Sequence, residues 1–271
     1  MMRGPAVILA LAACRLAWTG PQEAPVDPAP PPTVRPVPRA EEWAASRQAE
    51  VLERVQQATT PVPVVFVGDS ITQGWESEGV AIWQERMAPL GAMNLGVGGD
   101  RTEHVLWRLE QAPLSRLQPR VIVLMIGTNN ASSGRDSGAQ IVQGITAIVR
   151  LLQDQCPQAC IVLLDIPPRG QTMNPVRGLV LQVNQALAAT AWPEQVTWLA
   201  CGDRLVRPDG SIDPAIMPDF LHLSPEGYRR WARSILPVIT ARLEPQAAPL
   251  VPEEPVPPTA PPGPGDPPSG T

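Results

Sequence analysis

Five short runs of apolar and β-branched residues recur along the middle of this 271-residue chain, separated by stretches with apolar positions at helical spacing. A strand buried on both faces is typically a continuous apolar run of this kind. Parallel strands need crossover connections, and helices provide them on both faces of the sheet. The sequence therefore predicts an α/β fold with three layers, α/β/α, around a five-stranded parallel sheet of residues 62–67, 92–95, 121–126, 161–166 and 196–199.

The helical periodicity predicts six helices, at residues 41–58, 80–87, 101–111, 139–155, 175–191 and 225–243. This alternation of strands and helices is that of a flavodoxin-like sheet. In open sheets of parallel strands, ligands bind outside the carboxyl ends of the strands. The residues that directly follow each predicted strand are therefore the candidates for chemistry.

Proline divides the chain into segments, because more than half of the 35 prolines lie in residues 21–38 and 245–268. Proline without a regular period favours extended polyproline II and offers little apolar surface for folding. We therefore expect a disordered linker at 21–40, one folded domain at 41–244 and a disordered tail at 245–271.

The first twenty residues predict a signal peptide or lipoprotein leader. A charged start at Arg3 precedes a short apolar run, residues 5–13, that is too short to span a bilayer. The run ends at Cys14 in a sequence that resembles a bacterial lipoprotein box, where a lipid on Cys14 would attach the protein to a membrane. A soluble secreted protein and a misassigned start codon remain as alternatives. A lipoprotein and a soluble secreted protein would both be exported, to the periplasm, to the outer membrane or outside the cell.

Charge and composition exclude several classes of function. The net charge is −5, and all 21 basic residues are arginines without a dense cluster, so we expect no nucleic-acid partner. Without lysine the chain has neither a Schiff-base nucleophile nor a P-loop. The spacing of Cys156, Cys160 and Cys201 matches no zinc motif, and only two histidines are present, so we expect no metal site. A Cys156–Cys160 disulfide and buried free thiols both remain open.

Candidate catalytic groups follow three of the strands. Gly68-Asp69-Ser70 follows the first, where a starting helix would favour negative charge near the serine hydroxyl. A glycine-rich turn at 94–100 follows the second strand, and Gly127-Thr128-Asn129-Asn130 follows the third. A side-chain amide such as that of Asn129 is a neutral, directional donor for an oxyanion. Each pattern also has an ordinary explanation, as a helix cap or a tight turn.

Asp219 and His222 precede the last predicted helix. A histidine three residues after an aspartate can direct its imidazole toward Ser70 while the carboxylate fixes the tautomer. Ser224 is expected to cap the helix, which does not conflict with this role. The other histidine, His104, lies within a predicted helix and is expected to serve packing. Asp165 ends a strand and is a weaker alternative to Asp219.

Together these motifs resemble the conserved blocks of the SGNH/GDSL hydrolase superfamily. The stretches 66–70, 94–101, 104–109, 167–170 and 219–224 are more narrowly similar to the catalytic subunits of platelet-activating-factor acetylhydrolase Ib and to bacterial GDSL esterases. The resemblance covers residues 41–240 and implies a flavodoxin-like fold, no cofactor and a small ester as substrate. Some of those acetylhydrolases dimerise, so the resemblance also allows a homodimer.

The resemblance also assigns roles to individual residues. It implies that Ser70 is the nucleophile, that Asp219 and His222 complete the triad, and that the backbone N–H groups of Ser70 and Gly98 with the Asn129 amide form the oxyanion hole. The segment 71–75 is closer to bacterial carbohydrate esterases than to the eukaryotic acetylhydrolases, and within it Trp75 is expected to contact substrate.

The predicted activity is hydrolysis of short-acyl esters, acetyl esters above all, of carbohydrates or small molecules through an acyl-enzyme on Ser70. A lysophospholipase or thioesterase with a longer acyl chain is an alternative within the same chemistry. A non-catalytic cell-envelope binding domain on the same fold is an alternative from another class.

Overall fold

A computed structural model describes residues 29–59 and 61–244 of the chain. Its centre is a parallel sheet of five strands, β1 (Val64–Gly68), β2 (Ala92–Asn94), β3 (Val121–Met125), β4 (Cys160–Leu164) and β5 (Val196–Leu199), in the order β2-β1-β3-β4-β5. All four pairings are parallel, with Val64 opposite both Ala92 and Val121. This confirms the predicted α/β fold with a five-stranded parallel sheet.

Five helices of ten or more residues connect and cover the strands: α1 (Glu42–Gln57), α4 (Thr102–Gln111), α6 (Gly138–Gln155), α7 (Pro175–Ala188) and α8 (Pro225–Leu243). Three short helices lie between them: α2 (Ser70–Gln73), α3 (Val80–Ile82) and α5 (Thr128–Ser132). The side chains of Ser137, Asn174 and Ser224 accept backbone N–H groups in the first turns of α6, α7 and α8. These caps satisfy donors that a helix start otherwise leaves unpaired.

Alternate residues of each strand face opposite helical layers, which makes the fold three-layered. On one face, Val65, Ile122 and Leu163 pack against residues of α1, α4, α6 and α7. On the other face, Phe66, Val123 and Leu164 pack against α8 and a group of buried tryptophans. Because both faces are covered, the three inner strands β1, β3 and β4 are almost entirely buried, in agreement with their apolar sequences, whereas the edge strands β2 and β5 are partly buried.

The predicted helix 80–87 is the element that departs most from its prediction. The structure has a three-residue α3 followed by a π-helical turn, Trp83–Met87, and a 3₁₀ turn, Ala88–Leu90. The segment still buries Ile82, Trp83 and Met87 on one side. The apolar period therefore identified the buried side of the segment but not its hydrogen-bonding pattern.

The predicted disordered linker, 21–40, is wrong for its second half. Residues 32–34 form a 3₁₀ turn in which Thr33 is fully buried: its hydroxyl donates to the Gln140 carbonyl at 2.7 Å, and its own carbonyl accepts from the Thr102 hydroxyl at 2.8 Å. The Val37 N–H donates to the Glu103 carbonyl at 3.1 Å. These hydrogen bonds hold the proline-rich backbone on α4 and α6, so the ordered structure begins before residue 41.

The predicted leader with Cys14 and the tail 245–271 lie outside the described residues. Within residues 29–59 and 61–244, no helix is both long enough and apolar enough to cross a bilayer. Export, lipidation and dimerisation stay predictions.

Candidate active site

The tight turn after β1 exposes the Ser70 hydroxyl. A Cβ at Gly68 would lie 2.2 Å from the Thr72 hydroxyl and 2.4 Å from the Met125 carbonyl oxygen, so only glycine fits at that position. Asp69 follows as the N-cap residue of α2, and its carboxylate accepts the Ile71 N–H at 3.0 Å. Ser70 is therefore the first residue of α2, where backbone N–H groups have no partner within the helix.

Ser70, His222 and Asp219 form a chain of hydrogen bonds. The Ser70 Oγ lies 2.9 Å from His222 Nε2, although 152 residues separate the two along the sequence. His222 Nδ1 lies 2.6 Å from Asp219 Oδ2. Because an ionised carboxylate can only accept, Nδ1 carries the proton and Nε2 is left to accept from the Ser70 hydroxyl.

The backbone of the loop 218–224 orients Asp219. Its Oδ1 accepts the backbone N–H groups of Leu221 at 3.0 Å and His222 at 2.7 Å, while Phe220 adopts a left-handed conformation, φ 59°. Partial burial alone would raise the pKa of Asp219, but the hydrogen bonds from the His222 ring and from these two amides hold that pKa below its ordinary value. The carboxylate beside the imidazole is therefore ionised.

The glycine-rich turn after β2 changes the assignment of one predicted donor. The Gly98 N–H donates to the Gln73 side-chain oxygen at 2.7 Å, so it is already paired. Among the hydrogen bonds of residues 29–59 and 61–244, none uses the N–H of Gly99, which lies in a left-handed conformation, φ 70°. The structure thus contradicts the prediction that Gly98 offers its N–H to an oxyanion and leaves that of Gly99 as the unpaired amide of the turn.

Asn129 and Asn130 have different surroundings. Asn129, in the first turn of α5, uses one amide hydrogen to bind the Asp100 carbonyl at 2.9 Å, which leaves the second hydrogen for another acceptor. The Asn130 amide is fully buried and binds Glu103 and Asp136. Asn129 therefore keeps an available amide hydrogen, whereas Asn130 holds the surrounding loops together.

A buried ion pair lies behind the turn 96–100. The Arg108 Nε donates to Asp100 Oδ2 at 2.9 Å, and the same guanidinium donates to the Leu95 carbonyl at 2.9 Å and to the Gly68 carbonyl at 3.3 Å. Burial raises the pKa of Asp100 to about 6, although Arg108 opposes the rise. Arg108 thereby links the ends of β1 and β2 beneath the serine.

Asp69 is 1% exposed, and desolvation of its carboxylate raises its pKa from 3.8 to about 7. As the pH rises above 4 the unfolded chain releases this proton before the folded protein does, so Asp69 destabilises the fold increasingly up to about pH 7.

Replacing Asp69 by asparagine, Asp69→Asn, removes this dependence of stability on pH. We expect the stability of the variant relative to wild type, measured by urea unfolding, to increase by about 2–3 kcal/mol between pH 5 and pH 8. Any effect of the substitution on packing is the same at both pH values and cancels in this comparison. A difference in unfolding free energy between variant and wild type that is identical at pH 5 and pH 8 would contradict the assignment.

Trp75 does not line the site. Its side chain is 0% exposed and packs against Phe66, Tyr228 and Trp231, with ring centroids 4.6 Å from Tyr228 and 5.0 Å from Trp231. A ring enclosed in the core cannot stack on a substrate, so the prediction that Trp75 binds substrate is wrong.

Trp43 and Arg39 are at the site, although the sequence did not single them out. Trp43 in α1 is 58% exposed, and its ring carbon Cζ3 would lie 3.3 Å from a Cβ at Gly98. The Arg39 guanidinium lies over this ring, 5.1 Å from its centroid. Helical spacing alone assigns Trp43 to the apolar face of the predicted helix 41–58, and proline content alone assigns Arg39 to the predicted linker 21–40. The sequence does contain a signal that Trp43 is exposed. Its neighbours include the polar residues Glu41, Glu42 and Ser46, whereas the apolar residues that the helix buries include Val51 and Val55.

The other candidate residues have structural roles. His104 is 4% exposed, and its Nδ1 accepts the Arg101 N–H at 3.0 Å. The Asp165 carboxylate accepts the N–H groups of Cys201 and Gly202 at 2.9 and 3.0 Å. Cys156, Cys160 and Cys201 are free thiols, and burial raises the pKa of Cys156 to about 11. In the part of the chain that the structure describes, no three His, Cys, Asp or Glu side chains are grouped for metal binding.

Comparison with known proteins is consistent with this geometry. Residues 66–230 match the family model described as GDSL-like Lipase/Acylhydrolase. The platelet-activating factor acetylhydrolase IB subunits alpha1 of Pongo abelii and Homo sapiens are each 41% identical over 192 residues, 69% of this chain and 81% of theirs. A solved GDSL-like lipase from Bacteroides thetaiotaomicron superimposes with a TM-score of 0.60 at 18% identity, over 72% of this chain and 97% of its own, and shows the same fold. The chain therefore belongs to the GDSL-like lipase/acylhydrolase family and is a carboxylic ester hydrolase.

Proposed function

We propose that this protein is a serine esterase that removes short acyl groups, acetyl groups above all, from carbohydrates or small alcohols. The observation that carries the proposal is the continuous chain from the Ser70 hydroxyl through His222 to Asp219, at 2.9 and 2.6 Å. The preference for acetyl is supported by relatives that are 41% identical and are named acetylhydrolases.

The chain of hydrogen bonds defines the proton transfers. His222 Nε2 accepts the Ser70 proton as Oγ attacks the ester carbonyl carbon, and the imidazolium then protonates the departing alcohol. Water attacks the acyl-enzyme with the same base and releases the acid. Asp219, ionised and held by two backbone amides, stabilises the imidazolium in both steps.

Three neutral donors are proposed for the oxyanion: the N–H of Ser70 at the start of α2, the N–H of Gly99 and the second amide hydrogen of Asn129. Each is unpaired or lies at a helix start, and none requires a proton transfer to act. In this set the Gly99 N–H takes the place of the Gly98 N–H, which already donates to the Gln73 side-chain oxygen. Gln73 thereby ties the turn 96–100 to the helix that begins with Ser70.

Replacing Asn129 by alanine removes one of these donors. We expect kcat for 4-nitrophenyl acetate to fall by about 10²- to 10³-fold with little change in KM, because the lost hydrogen bond forms fully only with the charged oxygen. Steady-state kinetics of Asn129→Ala and Asn129→Asp test this. A loss below tenfold in Asn129→Ala would remove Asn129 from the proposed hole.

Trp43 is proposed to contact the alcohol portion of the substrate. Its indole is exposed beside Gly98, and Arg39 covers one ring face, which leaves the other for the C–H face of a sugar ring. We expect Trp43→Ala to raise KM for acetylated xylooligosaccharides by roughly fivefold, the effect of about 1 kcal/mol of aromatic contact, and to leave KM for the acyclic ester triacetin unchanged. Trp43→Phe should preserve most of the affinity. Equal effects on the two esters would contradict a sugar platform.

The preferred acyl length is tested by comparing kcat/KM for 4-nitrophenyl acetate and 4-nitrophenyl octanoate with wild-type protein. We expect acetate to be the better substrate. A preference for octanoate would support a lysophospholipase or thioesterase instead. Turnover that is equal in wild type and Ser70→Ala would indicate a non-catalytic binding domain on this fold.

A further inference from the structure

Arg39 is a buried arginine in the segment before α1. Its side chain is 6% exposed, and its guanidinium donates through Nη1 to the Gly98 carbonyl at 3.0 Å. The same group lies against the next residue of the turn, since a Cβ at Gly99 would be 2.8 Å from Nη1 and 3.1 Å from Nη2. Arg39 therefore contacts both residues of the Gly98–Gly99 peptide.

The geometry of a peptide bond connects this contact with catalysis. The described residues contain no cis peptide bond. The Gly98 carbonyl and the Gly99 N–H therefore lie in one peptide plane and point in opposite directions within it. Two flanking glycines leave this plane free to rotate, because neither has a Cβ that would restrict it. A donor that fixes the carbonyl therefore also fixes the direction of the N–H.

We infer that Arg39 is a positioning residue of the esterase, which sets the direction of the Gly99 N–H by holding the Gly98 carbonyl on the opposite side of the turn. The inference rests on the proposed function, because it requires the Gly99 N–H to bind the oxyanion. It assigns a role in catalysis to a residue outside the conserved motifs.

The guanidinium is itself held in place. Its Nε and Nη2 donate to the two carboxylate oxygens of Glu41 at 2.9 and 3.1 Å, and these bonds hold the pKa of Glu41 down to about 2. Asp100 Oδ1 lies 3.6 Å from Nη1, and Trp43 covers the flat face at 5.1 Å. A rigid fork with paired donors can fix a carbonyl more strictly than a flexible ammonium group can.

The expected effect is on turnover rather than on binding. Without Arg39 the Gly98–Gly99 peptide can rotate, so the donor is misdirected in the transition state, while the ground-state ester makes only weak use of it. We expect Arg39→Met to lower kcat for 4-nitrophenyl acetate by about 10- to 100-fold, with KM within about threefold of wild type. Arg39→Lys, which can still donate to the carbonyl, should lose less.

Arg47 provides a matched control for loss of a buried arginine. It is 8% exposed, and its Nε donates to the Gly96 carbonyl at 3.1 Å in the same turn, but none of its hydrogen bonds within the described residues reaches the Gly98–Gly99 peptide. Arg47→Met should lower the melting temperature to an extent similar to Arg39→Met and keep kcat within about threefold of wild type.

The experiment measures kcat, KM, melting temperature and the inhibition constant of an aryl trifluoromethyl ketone, whose serine adduct carries an oxyanion, for wild type and the three variants. The inference predicts that Arg39→Met weakens the inhibitor in proportion to its loss of kcat, that Arg39→Lys weakens it less, and that Arg47→Met leaves it nearly unchanged. It is overturned if Arg39→Met keeps kcat within threefold of wild type, or if Arg47→Met loses as much. If wild type hydrolyses no ester, or Ser70→Ala is equally active, the proposed function itself has failed.

Discussion

Ser70→Ala is expected to reduce kcat for 4-nitrophenyl acetate by about 10⁴- to 10⁶-fold, the largest effect of any single substitution in this protein. The alanine leaves His222 and Asp219 in place but removes the only oxygen that His222 Nε2 contacts at 2.9 Å among the described residues. Residual turnover then depends on the oxyanion donors and on water.

The control for Ser70→Ala is Ser77→Ala. Ser77 is an exposed serine just beyond α2, and its hydroxyl contacts only the Gly74 carbonyl at 3.4 Å within the described chain. It should retain wild-type activity. Because the triad acts as a unit, adding His222→Ala to Ser70→Ala should cause little further loss. A Ser70→Ala protein that keeps more than about 1% of wild-type turnover would contradict the assignment.

Asp219→Asn has the second-largest expected effect, a loss of about 10³- to 10⁴-fold in kcat. Asparagine can keep one oxygen toward the backbone amides of Leu221 and His222, which lie 3.0 and 2.7 Å from Oδ1. Its NH₂ group then faces Nδ1 and favours the tautomer with the proton on Nε2. That tautomer cannot accept the Ser70 proton, so the fold is kept while the base is lost.

Asp213→Asn is the matched control, because Asp213 lies on the same connection and its carboxylate also accepts a backbone N–H, that of Ala215 at 2.9 Å. Steady-state kinetics and melting curves of both variants separate the two effects. We expect Asp213→Asn to keep full activity, and Asp219→Asn to retain a melting temperature within a few degrees of wild type. An Asp219→Asn protein that loses less than tenfold in kcat would show that another group orients His222.

The sheet and the position of the site were predictable from the sequence. Strands such as 121–126 are buried on both faces, so their apolar runs carry an unambiguous signal. In a parallel sheet, the residues that follow the strands all lie at the edge formed by the carboxyl ends. Ser70, after β1, and Asn129, after the neighbouring β3, both lie there. The proximity of Ser70 and His222 was predictable only with the family resemblance, because the sequence alone sets no distance across 152 residues.

The errors concern features that depend on three-dimensional packing. Trp75 and Trp43 are both tryptophans near motifs, and only the fold places the first in the core and the second at the surface. The Gln73 side chain accepts the N–H of Gly98 and not that of Gly99, and no rule based on sequence spacing predicts this choice. The segment with Thr33 and Arg39 has the composition of a linker, yet side-chain hydrogen bonds hold it on the domain.

The central claim is that the Ser70 hydroxyl is the nucleophile of an esterase, and labelling by a fluorophosphonate tests it most directly. Such a probe forms a covalent bond only with a serine that is activated by its base, and peptide mass spectrometry locates the modified residue. We expect a single adduct on Ser70 that is absent from Ser70→Ala and strongly reduced in His222→Ala. An adduct on another residue, or no adduct under conditions in which the protein hydrolyses esters, would contradict the claim.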